Sequence, residues 1–224
     1  MRLSRRAFLS QLSGLTLYSA AGVAGARVTP GQSLGPFYPQ RAPVDSDADL
    51  TFVDGKAGQA KGQVTTLIGR VTDRLGVPVE DARVEIWQCD AFGSYHHPRD
   101  GGGVDPYFQG YGQTTTDRDG AYQFRTIKPV AYPGRAPHIH MKVGHGSIEL
   151  VTQIYVRGEA ANQRDFLLNA IKDKEARQSL VVAFEPDPSL ASPGLVARFD
   201  PVLGLSLTGS RIRSGYHRNR EPSA

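Results

Sequence analysis

Disulfide chemistry is absent from this chain. Cys89 is the only cysteine among 224 residues, so no bridge can form within it even in an oxidising compartment. The residue lies in the apolar run Val84-Glu-Ile-Trp-Gln-Cys89 and reads as a buried core thiol. A strong excess of charge is missing too. The formal net charge is +4, from 26 basic and 22 acidic residues, but residues 1–26 hold three arginines (Arg2, Arg5, Arg6) and no acid. Taking those three from 26 leaves 23 basic residues against 22 acidic ones, a net +1. That remainder offers no case for nucleic acid or for a membrane surface as partner. Nor is there a long apolar run: the stretch that follows Arg6 is broken by Ser, Gly and Gln and is too short and polar to span a bilayer.

What is present suits one loop-rich β domain. Hydrophobic residues make up 39% of the chain, enough for one sizeable core, and 25 Gly and 15 Pro favour many turns over long helices. The opening MRLSRRAFLSQLSGLTLYSAAGVAGA has a basic start, a weakly apolar middle and a small-residue end at Ala24-Gly25-Ala26, the layout of an export signal. Within it, Ser4-Arg5-Arg6-Ala7-Phe8-Leu9 resembles the twin-arginine consensus. The expected organisation is a twin-arginine-type signal over 1–26, a Pro/Gly/Asp-rich arm over 27–63, a β-sandwich domain over 64–208 and a basic tail over 209–224. The expected location is periplasmic or extracellular, with no stable membrane insertion once the signal is removed.

The fold class expected is all-β: an antiparallel sandwich core with long loops and one covering helix. VTTLIGRVTD and RVEIWQCD are strand candidates separated by the turn RLGVPVEDA. In TTTDRDGAYQFRTI, Asp119-Gly120 precedes an alternating Tyr122/Phe124 run, a hairpin signal. HIHMKV and SIELVTQIYV are two more strands around Gly144-His-Gly146. The one helix is expected near Gln163 to Leu180, where Phe166, Leu167, Ala170 and Ile171 recur at helical spacing; it covers a sheet and shows no chemistry.

The chemistry gathers in Tyr132-Pro-Gly-Arg-Ala-Pro-His-Ile-His140. On a strand, His138 and His140 project from one face and Ile139 from the other. Such a pair either converges on an ion or decorates a solvated face. Tyr95, just past a strand, and Tyr132, before the histidine pair, occupy suggestive places. Two imidazoles with two phenols would suit few metals. Zinc and copper normally take thiolate, imidazole or carboxylate, whereas a phenol, with a free pKa of about 10, needs a highly charged ion to lose its proton near neutral pH. Ferric iron meets that need.

These motifs resemble the intradiol ring-cleavage dioxygenases, most strongly the iron-binding (beta) subunit of the protocatechuate 3,4-dioxygenases. The resemblance rests on GPFYP at 35–39, VEIWQCDAFGSY at 84–95, TTTDRDGAYQFRTIKP at 114–129, YPGRAPHIH at 132–140, VTQIYV at 151–156 and ARFDPVLG at 197–204, in the family's order. It implies that Tyr95, Tyr132, His138 and His140 ligate a non-haem Fe(3+), and that Tyr132 leaves when substrate binds. It also implies that Arg135 stabilises charge on the substrate and that Gln153 lines the pocket. The activity implied is cleavage of a catechol-type aromatic with O2, between the two hydroxyl-bearing carbons, to a cis,cis-muconate-type diacid.

The stretch between Tyr132 and His138 lacks the tryptophan-bearing insertion of the protocatechuate enzymes, so the particular catechol is not carried over. The helical dimerisation region of the catechol 1,2-dioxygenases is also missing, leaving a different homo-oligomer or a related partner subunit as the expected assembly. Of the other candidates, Tyr107 and Tyr111 are expected to pack or be exposed, His145 to be exposed, and at most one of His96 and His97 to approach the site. The rival reading is a non-catalytic binding module of the transthyretin-like or carboxypeptidase-regulatory kind, whose pattern from Gly69 to Val84 is shared. That pattern signals a fold and no chemistry.

Overall fold

The computed structural model describes residues 25–41, 43–187 and 194–204. The expected basic tail, and the expected export signal apart from Gly25 and Ala26, lie outside the described residues. The strands are β1 (Val64–Arg70), β2 (Arg83–Trp87), β3 (Tyr111–Thr115), β4 (Ala121–Ile127), β5 (His138–His145), β6 (Ile148–Val156), β7 (Val181–Val182), β8 (Phe184–Pro186) and β9 (Leu195–Arg198). They form a four-stranded sheet, β4-β1-β9-β8, and a five-stranded sheet, β3-β2-β5-β6-β7. Neighbours run antiparallel except β1 with β9 and β6 with β7, which are parallel. One apolar cluster joins Leu67 and Phe124 of the first sheet to Ile86, Ile139, Met141 and Val143 of the second. The expected sandwich is therefore observed.

Two expectations need correction. Asp119-Gly120 does turn the chain, with Gly120 N donating to Asp117 O at 2.9 Å and Asp117 N to Ala121 O at 3.1 Å. Yet β3 and β4 do not pair: β3 joins β2, while β4 joins β1 in the other sheet. Thr116 shows why the ladder opens, because its Oγ1 accepts from Ala82 N at 2.8 Å and donates to Val79 O at 2.7 Å. The segment is a crossing between sheets, and the local turn chemistry is the same for both outcomes.

The expected single helix over 163–180 is two short ones, α1 (Phe166–Ala170) and α2 (Lys174–Ser179). Each begins at an aspartate whose carboxylate accepts the first free backbone N–H groups: Asp165 from Leu167 and Leu168, Asp173 from Glu175 and Ala176. Asp173 thus starts a new helix where the periodicity suggested continuation.

The second sheet is covered on its outer face as well. There, Trp87, Cys89, Tyr95 and Tyr111 form a separate buried cluster against which Leu34, Phe37, Tyr38, Val130, Tyr132 and Val151 pack. The arm supplies part of that cover. Its Gln32 N donates to Val151 O at 2.7 Å and Thr152 Oγ1 donates to Pro30 O at 2.9 Å. Farther along, Leu50 N donates to Arg125 O at 2.8 Å, tying the arm to the other sheet too.

Candidate metal centre

Strand register sets the geometry. Trp87 of β2 lies opposite His140 of β5, which lies opposite Gln153 of β6, and His138 lies opposite Tyr155. Directly opposed residues share a face, so these side chains form two adjacent rows on the covered outer face, while Ile139 and Met141 enter the core. His138 and His140 are 1% and 2% exposed, which rules out the solvated-face reading of the pair. Their Nε2 atoms are 3.2 Å apart.

Two loops bring the phenols. Between β2 and β3, the buried Asp90 carboxylate accepts from Phe92 N at 2.9 Å, Ser94 N at 3.0 Å and Asp105 N at 2.7 Å. This cinches the loop that presents Tyr95, whose Oη is 3.4 Å from His138 Nε2. Between β4 and β5, Tyr132-Pro-Gly-Arg135 is a tight turn closed by Arg135 N donating to Tyr132 O at 2.9 Å. Pro133 at its second position and Gly134 at its third, with φ of 81°, are what a type II turn requires. Tyr132 is half-buried, its ring 5.5 Å from that of His138 and 5.6 Å from that of Tyr95. Tyr95 is 2% exposed.

Arg135 leads back into the same cluster. Its Nη1 is 3.4 Å from Tyr132 Oη, and its Nη2 donates to Gln153 Oε1 and reaches Tyr155 Oη at 3.4 Å. Its Nε donates to Asp165 Oδ2 at 2.9 Å, and the side chains of this pair are 8% and 0% exposed. Asp165 also accepts from Ala136 N at 3.0 Å and caps α1. All six residues singled out from the sequence therefore meet. The sequence reading did not find Asp165, Tyr155 or the arm residues around Phe37. An aspartate before an apolar run is a helix-start signal, but its pairing with an arginine thirty residues away is tertiary.

The electrostatics follow from burial. Burial is the main cause that lowers His138 to about 4, with the Arg135 charge adding to it. His140 is pushed well below the ordinary imidazole value by burial, then by His138 and Arg135. Both rings are thus neutral. His138 Nδ1 is 2.6 Å from Ala136 O, so it carries the proton and leaves Nε2 with a bare lone pair. Burial raises Tyr95 well above the usual phenol value; it raises Tyr132 as well, against the opposing pull of Arg135. Burial works against the Arg135 charge, yet its bond to Asp165 and the Asp165 charge raise its pKa overall.

Among the described residues no group of three or more His, Cys, Asp or Glu is placed to hold a metal ion, so a metal here must recruit the tyrosines. Two neutral imidazoles with Nε2 atoms almost in contact, beside two phenols that burial keeps protonated, form a donor set that a strongly Lewis-acidic cation fits. The remaining candidates stand apart. Tyr111 is buried and donates to Glu85 Oε2 at 2.9 Å, the Tyr107 ring packs on Gly58, and His97 meets Phe37 edge-on at 5.9 Å. His145 is half-buried, less exposed than expected, at the far end of β5. Cys89 is buried, and burial pushes its thiol up to about 12.

Comparison with known proteins gives a consistent picture. Residues 34–204 match the family described as Dioxygenase. The beta chain of protocatechuate 3,4-dioxygenase from Burkholderia cepacia is 37% identical over 168 residues, 70% of this chain and 71% of that one. The hydroxyquinol 1,2-dioxygenase of Nocardioides simplex is 34% identical over 181 residues; the match covers 71% of this chain and 56% of that enzyme. The dioxygenase domain of a dioxygenase–carbohydrate-binding fusion from Streptomyces sp. SirexAA-E superposes with a TM-score of 0.60 at 30% identity, covering 80% of this chain and 100% of that domain.

Proposed function

The chain belongs to the intradiol ring-cleavage dioxygenases, and from that premise we propose that Tyr95, Tyr132, His138 and His140 hold a ferric ion at which a catechol-type aromatic is opened with O2. Cleavage falls between the two hydroxyl-bearing carbons and gives a cis,cis-muconate-type diacid. The observation that carries this reading is the meeting of four donors from two loops and one strand, with Tyr95 Oη and His140 Nε2 lying 3.4 and 3.2 Å from the same His138 nitrogen. Ferric iron in that position would release the phenol protons and draw electron density from a chelated catecholate, priming its ring for attack by O2.

The protein's own part can be assigned residue by residue. Tyr132 is the donor suited to leave, being half-buried and carried on a turn, whereas the other three are at most 2% exposed. Once released, its Oη would be placed to take up a proton from one substrate hydroxyl. Arg135 stays behind, because Asp165 holds its Nε; the Nη1 that faced Tyr132 Oη then meets negative charge on the substrate oxygen or ring. Gln153 Oε1 receives Arg135, while its buried Nε2 has no protein partner and serves as a donor to substrate or oxygen. The aromatic cover of Trp87, Phe37 and Tyr38 keeps the outer face of the sheet dry, which strengthens these interactions.

The relatives' names include protocatechuate, hydroxyquinol and catechol, so the substrate proposed is the shared 1,2-diol. Alpha and beta protocatechuate chains among them support a related partner subunit. The Arg5-Arg6 motif supports export to the periplasm or beyond. No helix among the described residues is long and apolar enough to cross a membrane. A non-catalytic binding module would share the sandwich but has no use for four converging donors backed by a fixed guanidinium.

The test is a visible spectrum with an iron assay, followed by oxygen uptake on catechol, protocatechuate and hydroxyquinol. A red-purple tyrosinate-to-iron band and stoichiometric uptake with one of the three diols are expected. A colourless protein that takes up no ferric iron sinks the proposal.

A further inference from the structure

We propose that the arm segment around Gly35 and Phe37, together with Trp87, is a positioning element of the metal centre that aims His140 and Tyr95 by ring packing. The inference rests on the ligand set proposed above and gives Trp87 and Phe37, so far only part of the dry cover, a second task.

The two histidines are held in different ways. A metal-binding histidine ordinarily gives its second ring N–H to a fixed acceptor, which sets the tautomer and the ring's angle. His138 does so through Nδ1 and Ala136 O at 2.6 Å. His140 does not: its Nδ1 is buried with no hydrogen-bond partner. What fixes its ring is contact. Trp87 lies parallel to it, centroids 4.8 Å apart and planes within 10°. Gly35 approaches so closely that a Cβ there would sit 3.3 Å from His140 Cε1, and its φ of +73° favours glycine.

Tyr95 is treated in the same manner. Its ring stacks on Phe37 with centroids 4.5 Å apart and planes 19° apart. Tyr38 then meets Trp87 edge-on at 4.9 Å and donates through Oη to the buried Glu85 carboxylate at 2.7 Å, so the arm also buttresses the ring that lies on His140. Two of the four proposed ligands are therefore oriented by a segment well before the first strand. Stacking fixes the plane of a ring without claiming a nitrogen or an oxygen. It leaves His140 and Tyr95 free of competing hydrogen bonds on that side, at the cost of making their aim depend on the arm.

The experiment compares Phe37→Leu with Phe37→Tyr, and Trp87→Leu with Trp87→Phe. Ferric affinity is read by chelator competition and the tyrosinate-to-iron band by absorption, with the melting temperature of the iron-free protein recorded alongside. Each leucine variant should bind ferric iron about 10–100-fold more weakly and shift the band, while each variant that keeps a flat ring should restore both. Leucine variants with unchanged affinity and band overturn the inference. So does a loss that follows the fall in melting temperature and is not restored by the aromatic variants. Failure of the wild-type protein to take up ferric iron is a different outcome: it overturns the ligand set, and this inference with it.

Discussion

In β4 of the four-stranded sheet, Tyr122, Phe124 and Thr126 are buried while Ala121, Gln123 and Arg125 between them are half-exposed; in β5 of the other sheet, His138, Ile139, His140 and Met141 are buried in succession. The alternation in β4 is that of a strand with one dry face and one wet one. The uninterrupted burial in β5 belongs to a strand covered on both sides, by the core beneath and by the arm and two loops above. Polar atoms on that second dry face have few partners, and the consequences are written into His140 Nδ1, Gln153 Nε2 and Trp87 Nε1, none of which has a hydrogen-bond partner. One sheet spends its outer face on solubility. The other hides its outer face, and on the proposed ligand set its dehydrated groups serve the metal centre.

Substitutions can break or sharpen that contrast. The largest effect is expected for His140→Ala, which removes one of two imidazoles from the covered face: iron uptake and oxygen consumption should both vanish, and a variant that still shows the charge-transfer band would remove His140 from the site. Next is Arg135→Lys. It keeps a charge opposite Asp165 but loses the fork that reaches Gln153 and Tyr132, so kcat should fall by about 10²–10³-fold with the iron band retained. In the other sheet, Leu67→Ala should cost about 2–5 kcal/mol of stability and leave iron content, spectrum and turnover of the folded fraction unchanged, as read by denaturant titration beside a cold assay. Lost iron in Leu67→Ala would mean that the sheets do not divide the work.

Much of this was legible beforehand, for reasons that differ by residue. H-x-H on an apolar strand dictates a shared face, Pro-Gly after Tyr132 dictates a turn, and the alternation around Tyr122 dictates a half-buried strand; each is a short-range rule. The hairpin at Asp119-Gly120 misled because a turn's residues specify the bend and not the partner of the strand that leaves it, and the partner here is chosen by Thr116 and by the core. The helix over 163–180 misled because apolar spacing outweighed two capping aspartates. Asp165 stayed hidden as part of the site for a third reason: its neighbours in sequence explain it fully as a cap, and only the fold brings Arg135 to its other oxygen. The arm over 27–63 was read without a role at the site, since the value of Phe37 depends on Tyr95, 58 positions later.

The turn that carries Tyr132 has a consequence for selectivity. On the proposed ligand set, the protein supplies its own competing ligand: a phenol on a four-residue tether, present at an effective concentration of roughly millimolar or more. An incoming monophenol offers one oxygen, as Tyr132 does, and arrives without the tether's advantage. A 1,2-diol offers two oxygens and gains from the second bond what the tether gives the tyrosine. Discrimination between catechols and simple phenols would then reside less in the walls of the pocket than in the contest for the metal, with Pro133 and Gly134 setting how hard the resident side chain is to displace.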